Sequence, residues 1–221
     1  MAKLFLLRHL KSQWNEENRF TGWMDVPLDE KEIYKAEELA DKIFKFQIDK
    51  IYTSSLFRNQ DTVARIFEYG NIKYPVFAHL DGGKMQKWAN FIDISENDVT
   101  VFVTEKLNER YYGKIQGESK DEAIRKYGAE KVRLWRRSYN VAPPEGESLK
   151  DVYKRVIPFY KKYAEKDLLR GKNVLIVASH NSLRALIKYL EKISDQDIIN
   201  LEIDYGALLE YQIDKKGIAK K

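Results

Sequence analysis

Two short runs, Lys3 to Arg8 and Asn173 to Ala178, are apolar at consecutive positions instead of alternate ones. That is the pattern of a strand covered on both faces, and it places both runs inside a mostly parallel sheet. The first run stops abruptly at Arg8 and His9. Its carboxyl end therefore delivers a guanidinium and an imidazole to the crevice where open α/β sheets bind ligands. From Asp29 to Phe46 the residues Ile33, Ala36, Leu39, Ile43 and Phe44 recur at helical spacing, and Asp49 to Ser54 reads as a further strand. Ser148 to Tyr163 reads as a helix after the Pro143-Pro144-Glu145-Gly146 turn. Leu183, Ala185, Leu186, Ile187 and Leu190 continue the run that ends at Ala178 as another helix, with Asn181 or Ser182 as its N-cap. Ala207 to Ile213 is the expected last strand. This alternation predicts an α/β fold, a mostly parallel central sheet with helices on both faces.

A chain of 221 residues with 43% hydrophobic residues supports one substantial core, expected as a single domain over residues 1–214. The Lys-rich tail, 215–221, is expected to be mobile. Gly82 to Asn97, with Trp88 and Phe91 among mixed charges, follows neither period and reads as a loop insertion over about 82–97, packed on its own aromatics. The chain has no cysteine, which excludes disulfides, thiolate metal sites and a cysteine nucleophile, and suits the cytoplasm. Leu4 to Leu7 is too short for a signal-peptide core, and no later run approaches a membrane helix, so no membrane partner is expected. The net charge of +5 is spread without a basic block or a nucleic-acid motif, which argues against a nucleic-acid partner and for a small anionic substrate. Of the three histidines, His9, His79 and His180, none has carboxylates at metal-ligand spacing, so no metal is expected. His79 lies outside any motif and is assigned a structural role.

A neutral imidazole accepts a phosphoryl group, and arginines bind its oxygens through paired, charge-assisted hydrogen bonds. Arg8-His9 combines the two. It leads into Ser12-Gln13-Trp14-Asn15 and Phe20-Thr21-Gly22-Trp23, followed by Leu107-Asn108-Glu109-Arg110-Tyr111-Tyr112-Gly113, Trp135-Arg136-Arg137-Ser138-Tyr139 and Asn181-Ser182-Leu183-Arg184-Ala185-Leu186. In this order the segments resemble the 2,3-bisphosphoglycerate-dependent phosphoglycerate mutases, a branch of the histidine phosphatase superfamily.

The resemblance implies interconversion of 2- and 3-phosphoglycerate through a phosphohistidine, primed by 2,3-bisphosphoglycerate and independent of metal. It makes His9 the nucleophile, Arg8 and Arg58 clamps on the transferring phosphoryl group, and Glu109 the acid and base for the substrate hydroxyl. Asn15, Thr21, Gly22, Tyr112, Lys120, Arg136, Arg137 and Asn181 become substrate ligands. Lys120, Arg136 and Arg137 would hold the carboxylate and the second phosphate, which one phosphoryl group alone does not require. A homodimer or homotetramer is an expectation by resemblance. The 82–97 segment is longer than the family's usual connection.

Two places beside the reactive histidines depart from the family, and a third departure lies apart from them. Glycine and then glutamate or glutamine normally follow the nucleophilic histidine, whereas Leu10 and Lys11 stand here; Leu10 requires a changed turn, and Lys11 adds a cation. Glu32, where glycine usually follows Glu-Lys, lies at a helix start. The family's His-Gly-Asn-Ser is here Ser179-His180-Asn181-Ser182, and counting back to Gly171 puts Ser179 on the second catalytic histidine. A one-residue slip on a strand reverses side-chain direction. The favoured account has the strand ending one residue later, so that His180 reaches the phosphoryl group beside His9. Two alternatives stay open: a phosphatase on the same scaffold, and a phosphometabolite-binding protein weakened by the two departures.

Overall fold

The computed structural model describes residues 1–70, 73–88, 98–214 and 219–220. Its strands are β1 (Ala2–Arg8), β2 (Lys50–Ser54), β3 (Tyr74–His79), β4 (Asp98–Thr104), β5 (Val174–Ala178), β6 (Leu208–Ile213) and β7 (Ala219–Lys220). Its helices are α1 (Gln13–Glu16), α2 (Lys35–Ile43), α3 (Phe57–Gly70), α4 (Gly83–Trp88), α5 (Lys120–Tyr127), α6 (Ala129–Arg137), α7 (Leu149–Lys162), α8 (Ala164–Leu169) and α9 (His180–Glu191).

The strands form one sheet in the order β3-β4-β2-β5-β1-β6-β7. β3, β4, β2, β5 and β1 run parallel, while β6 pairs antiparallel with β1 and β7 antiparallel with β6. Successive side chains of a strand point to opposite faces, and β1 feeds two cores accordingly. Leu4 and Leu6 pack with Val152 and Val156 of α7, Leu168 of α8, and Leu183 and Leu186 of α9. Phe5 and Leu7 pack with Leu39 and Ile43 of α2 and Val63 and Ile66 of α3. Burial on both faces is why β1 is apolar at every position from Leu4 to Leu7 and β5 throughout.

A third cluster of Phe20, Ile115, Ala123, Val132 and Trp135 ties α5 and α6 together. It holds this helical pair over the carboxyl ends of the parallel strands, where Arg8, His9 and Arg58 also lie.

Several boundaries differ from expectation. The helix foreseen over Asp29 to Phe46 is split. Asp29 accepts a hydrogen bond from Lys31 N at 3.2 Å, which closes a 3-10 turn over Glu30–Glu32, and the α-helix starts only at Lys35. The N-cap of α9 is Ser179 in extended conformation, not Asn181 or Ser182, and helical geometry begins at His180. Of the 82–97 segment, Gly83–Trp88 is helical and 89–97 lies outside the described residues. The tail expected to be mobile returns to the sheet edge, where Ala219 pairs with Ile213; 215–218 and 221 lie outside the described residues. Among the described residues no helix is long and apolar enough to cross a membrane.

Leu10, at the family's glycine, is fully buried against the α2 side of the sheet. Gly206 makes room for it. At φ +71°, a Cβ on Gly206 would come within 3.3 Å of Leu10 Cδ2, closer than side-chain carbons normally approach. The departure is therefore absorbed by the core. Leu10→Ala is expected to cost about 3 kcal/mol through lost burial and a residual cavity, read as a lower midpoint in urea unfolding; a midpoint equal to wild type would contradict this packing.

Candidate active site

β1 ends by presenting His9, which is 2% exposed. Its Nδ1 lies 2.6 Å from the carbonyl oxygen of Leu10, which can only accept, so Nδ1 carries the proton and Nε2 the lone pair. Arg58 Nε points at that Nε2 from 3.4 Å. Burial, reinforced by the charges of Arg58 and Arg8, holds the imidazole well below its usual titration range. His9 is thus a neutral nitrogen nucleophile pinned in one tautomer among cations.

Arg58 sits in the first turn of α3 and is 1% exposed. Burial lowers its pKa to about 10, which leaves it charged at neutral pH. Its other nitrogens donate to Met24 O at 3.0 Å and Gly22 O at 2.8 Å, fixing the loop that carries Thr21. Gly22 has φ +53°, and a Cβ there would lie 2.2 Å from the Gln116 side chain, so the loop requires glycine at this point. Asn15 Nδ2 donates to Thr21 Oγ1 at 3.2 Å, joining α1 to the same loop.

Glu109 follows β4 and is 7% exposed. Its Oε1 accepts from Arg110 N and from Asn181 Nδ2, each at 2.6 Å. Burial favours the neutral acid, but the contacts with His180, Asn181 and Arg110 outweigh it and keep the carboxyl below its usual range. A carboxylate buried but held ionised is suited to removing a proton from a bound hydroxyl. Tyr112 Oη lies 3.4 Å from Asn181 Nδ2.

Arg136 and Arg137 end α6, whose Trp135 is buried in the small cluster with Phe20. Their carbonyls are gripped from below: Arg110 Nη2 donates to Arg136 O at 2.7 Å and Arg184 Nη2 to Arg137 O at 3.0 Å. Arg184 also donates to Asn181 Oδ1 at 3.0 Å. Lys120, at the start of α5, is pushed down to about 8 by burial and by the neighbouring charges of Arg136, Arg8 and Arg137.

His180 reaches the cleft by a route different from the expected one. β5 does not run on; it ends at Ala178, and Ser179, fully buried, accepts a hydrogen bond from Asn59 Nδ2 at 3.0 Å. His180 enters as the first residue of α9, and its Nε2 lies 3.2 Å from Glu202 Oε2. Burial lowers it to about 4, so it is neutral at neutral pH. Lys11 pairs with Glu16 and does not line the cleft.

Every site residue expected from the sequence lines one cleft of about 300 Å³: Arg8, His9, Asn15, Thr21, Gly22, Arg58, Glu109, Tyr112, Lys120, Arg136, Arg137, His180 and Asn181. His79 ends β3, away from it. Arg19, Phe20, Glu202, Ile203, Asp204 and Tyr205 also line the cleft and were not foreseen. Arg19 stands inside the N-terminal motif and was within reach of a closer reading. Ile203 and Tyr205 carry no local signal, because they act through backbone and ring face: Arg8 donates to Ile203 O at 2.5 Å and lies 3.6 Å over the Tyr205 ring. Among the described residues no three His, Cys, Asp or Glu side chains group as metal ligands.

The model of the histidine phosphatase superfamily, branch 1, matches residues 4–91 and 84–221. A 2,3-bisphosphoglycerate-dependent phosphoglycerate mutase of Methanococcus vannielii is 42% identical over 222 residues, covering 100% of this chain and 94% of the relative. One of the same name from Protochlamydia amoebophila is 40% identical over 224 residues, covering 100% and 99%. Among solved structures, Bacillus stearothermophilus YhfR superposes with a TM-score of 0.77 at 23% identity, covering 100% of this chain and 95% of that one. A mycobacterial glucosyl-3-phosphoglycerate phosphatase superposes with a TM-score of 0.75 at 22% identity, covering 96% and 92%. These two likenesses speak for the fold.

Proposed function

Since this chain belongs to the histidine phosphatase superfamily, and within it to the 2,3-bisphosphoglycerate-dependent phosphoglycerate mutases, we propose that His9 carries the phosphoryl group by which it interconverts 3- and 2-phosphoglycerate. The observation that carries this reading is the convergence of a neutral, single-tautomer His9 and an ionised Glu109 on one cleft with Arg8, Arg58, Lys120, Arg136 and Arg137.

The donor set fits a ligand with several anionic groups. Arg8 and Arg58 flank the phosphoryl end, while Lys120, Arg136 and Arg137 stand on the helical pair above it. 2,3-Bisphosphoglycerate would supply the phosphoryl group that primes His9. With the phosphoryl group on Nε2, Glu109 takes the proton of the substrate's free hydroxyl as that oxygen attacks phosphorus and the P–N bond breaks. After the ligand turns, Nε2 attacks the other phosphate. The P–O bond breaks, and the proton returns from Glu109 to the departing oxygen. Arg8 and Arg58 hold the phosphoryl oxygens throughout, and His180 joins them once its Nε2 swings off Glu202. Asn15, Thr21, Gly22, Tyr112 and Asn181 set the ligand's orientation. Residues 1–214 are proposed to fold as one domain, located in the cytoplasm.

The test is to incubate the protein with 3-phosphoglycerate and a trace of 2,3-bisphosphoglycerate in the presence of a chelator, following 2-phosphoglycerate and inorganic phosphate together. The mutase forms 2-phosphoglycerate faster than it releases phosphate. Phosphate release dominating would replace this reading with a phosphatase, and neither product forming, with ligand still bound, would leave a binding protein.

The depressed Lys120 gives a pH signature. A lysine is cationic in its protonated form, so lowering its pKa to about 8 removes that charge as pH rises through about 8. The value of kcat/KM, which reports free-enzyme groups, is expected to fall above that pH. Lys120→Arg should abolish this alkaline limb because a guanidinium stays charged. A limb that persists in Lys120→Arg belongs to another group.

A further inference from the structure

Besides the proton-handling Glu109, the cleft of cations is lined by two carboxylates, Glu202 and Asp204, of which Glu202 meets the ligand's own partners. The segment from Leu201 to Gly206, which leads into β6, carries Glu202, whose Oε1 ion-pairs with Arg137 Nη1 and whose Oε2 lies 3.2 Å from His180 Nε2. The carboxylate is delivered to this place by buried contacts. Arg184 is fully buried and donates through Nη2 both to Arg137 O at 3.0 Å and to Ile198 O at 2.6 Å. One guanidinium therefore fastens the end of α6 to the turn that precedes Glu202, and Arg8 fastens the next residue through Ile203 O at 2.5 Å.

A carboxylate so placed has the same charge as the ligand and the same partner. Arg137 cannot pair fully with Glu202 and with a ligand's outer anionic group at once, and two anions brought together at one guanidinium repel each other. We propose that Glu202 is a specificity-determining residue, an internal anion that holds Arg137 in the free protein and must yield it to the ligand's outer anionic group. It sets a threshold against ligands that reach from His9 to Arg137, and leaves ligands confined to the His9 end nearly untouched. The proposal rests on the mutase reading only for the class of ligand, a small molecule with two anionic groups. It accounts for the half-exposed position of the side chain, 54% accessible at the cleft mouth, from which it can swing into solvent.

The test is titration calorimetry at fixed ionic strength, with 3-phosphoglycerate and with inorganic phosphate, on wild type, Glu202→Gln and Glu202→Ala. Glu37→Gln, an exposed change of equal charge on α2, serves as control. Melting temperature without ligand checks that each variant is folded. Both Glu202 variants are expected to bind 3-phosphoglycerate about tenfold more tightly, inorganic phosphate within about twofold of wild type, and Glu37→Gln to bind both as wild type does. In turnover, KM falls while kcat holds; a fall in kcat with KM unchanged would mean that Glu202 instead positions His180. Equal tightening of both ligands would reduce the effect to the general field, and unchanged or weaker 3-phosphoglycerate binding would overturn the proposal. Without the priming phosphate the protein binds 3-phosphoglycerate but does not turn it over, so tighter binding supports the proposal even if the mutase assay fails. No binding by wild type and both variants would overturn both readings.

Discussion

His9→Ala is expected to lower turnover by about 10⁴-fold or more. It should also leave the intact mass unchanged after exposure to 2,3-bisphosphoglycerate, where the wild type gains one phosphoryl group. The physical reason lies in the tautomer. With Nδ1–H committed to the Leu10 carbonyl at 2.6 Å, Nε2 holds the only lone pair of the ring available to the cleft. No second nitrogen takes its place, because His180 is turned toward Glu202 at 3.2 Å. A phosphoryl adduct that survives in His9→Ala would move the nucleophile elsewhere and sink this assignment. Melting temperature without ligand separates a chemical from a structural loss.

Arg58→Met should cost about 10³-fold in kcat. It removes a buried cation that faces the nucleophile at 3.4 Å, where phosphoryl charge accumulates, in a site shielded from water. The same substitution frees the carbonyls of Gly22 and Met24, so the loop bearing Thr21 should loosen and KM should rise as well. Hydrogen exchange at 20–24 reads the second effect, and single-turnover phosphorylation of His9 reads the first. A variant with raised KM but undiminished phosphorylation rate would reduce Arg58 to a loop anchor.

The parts of this molecule that were legible in the sequence are those where one physical demand dominates. β1 and β5 are buried on both faces, so their composition leaves no alternative to a central strand. The cleft residues on motif segments converge because each follows the carboxyl end of a parallel strand or sits on the helical pair above it. What escaped reading is where backbone does the binding. Ser179 caps α9 by its extended conformation, with no side-chain hydrogen bond to the helix, so composition pointed to the more familiar Asn181 and Ser182. The 3-10 turn at Glu30–Glu32 shares the spacing of the helix that follows it. Ile203 contributes a carbonyl and Tyr205 a ring face, and neither announces itself beside Gly206. Arg110 and Arg184 were visible inside their motifs, but only the packing shows that they hold the carbonyls of Arg136 and Arg137.

Leu10 joins two roles that a glycine at this position would keep apart. Its carbonyl fixes which nitrogen of His9 is free, while its side chain is locked in the core beneath Gly206. The ordering entropy of the nucleophile is thus met when the chain folds and not at each encounter with substrate. The same link narrows the paths open to further change. Leu10→Gly would therefore loosen both the core and the catalytic ring in one step.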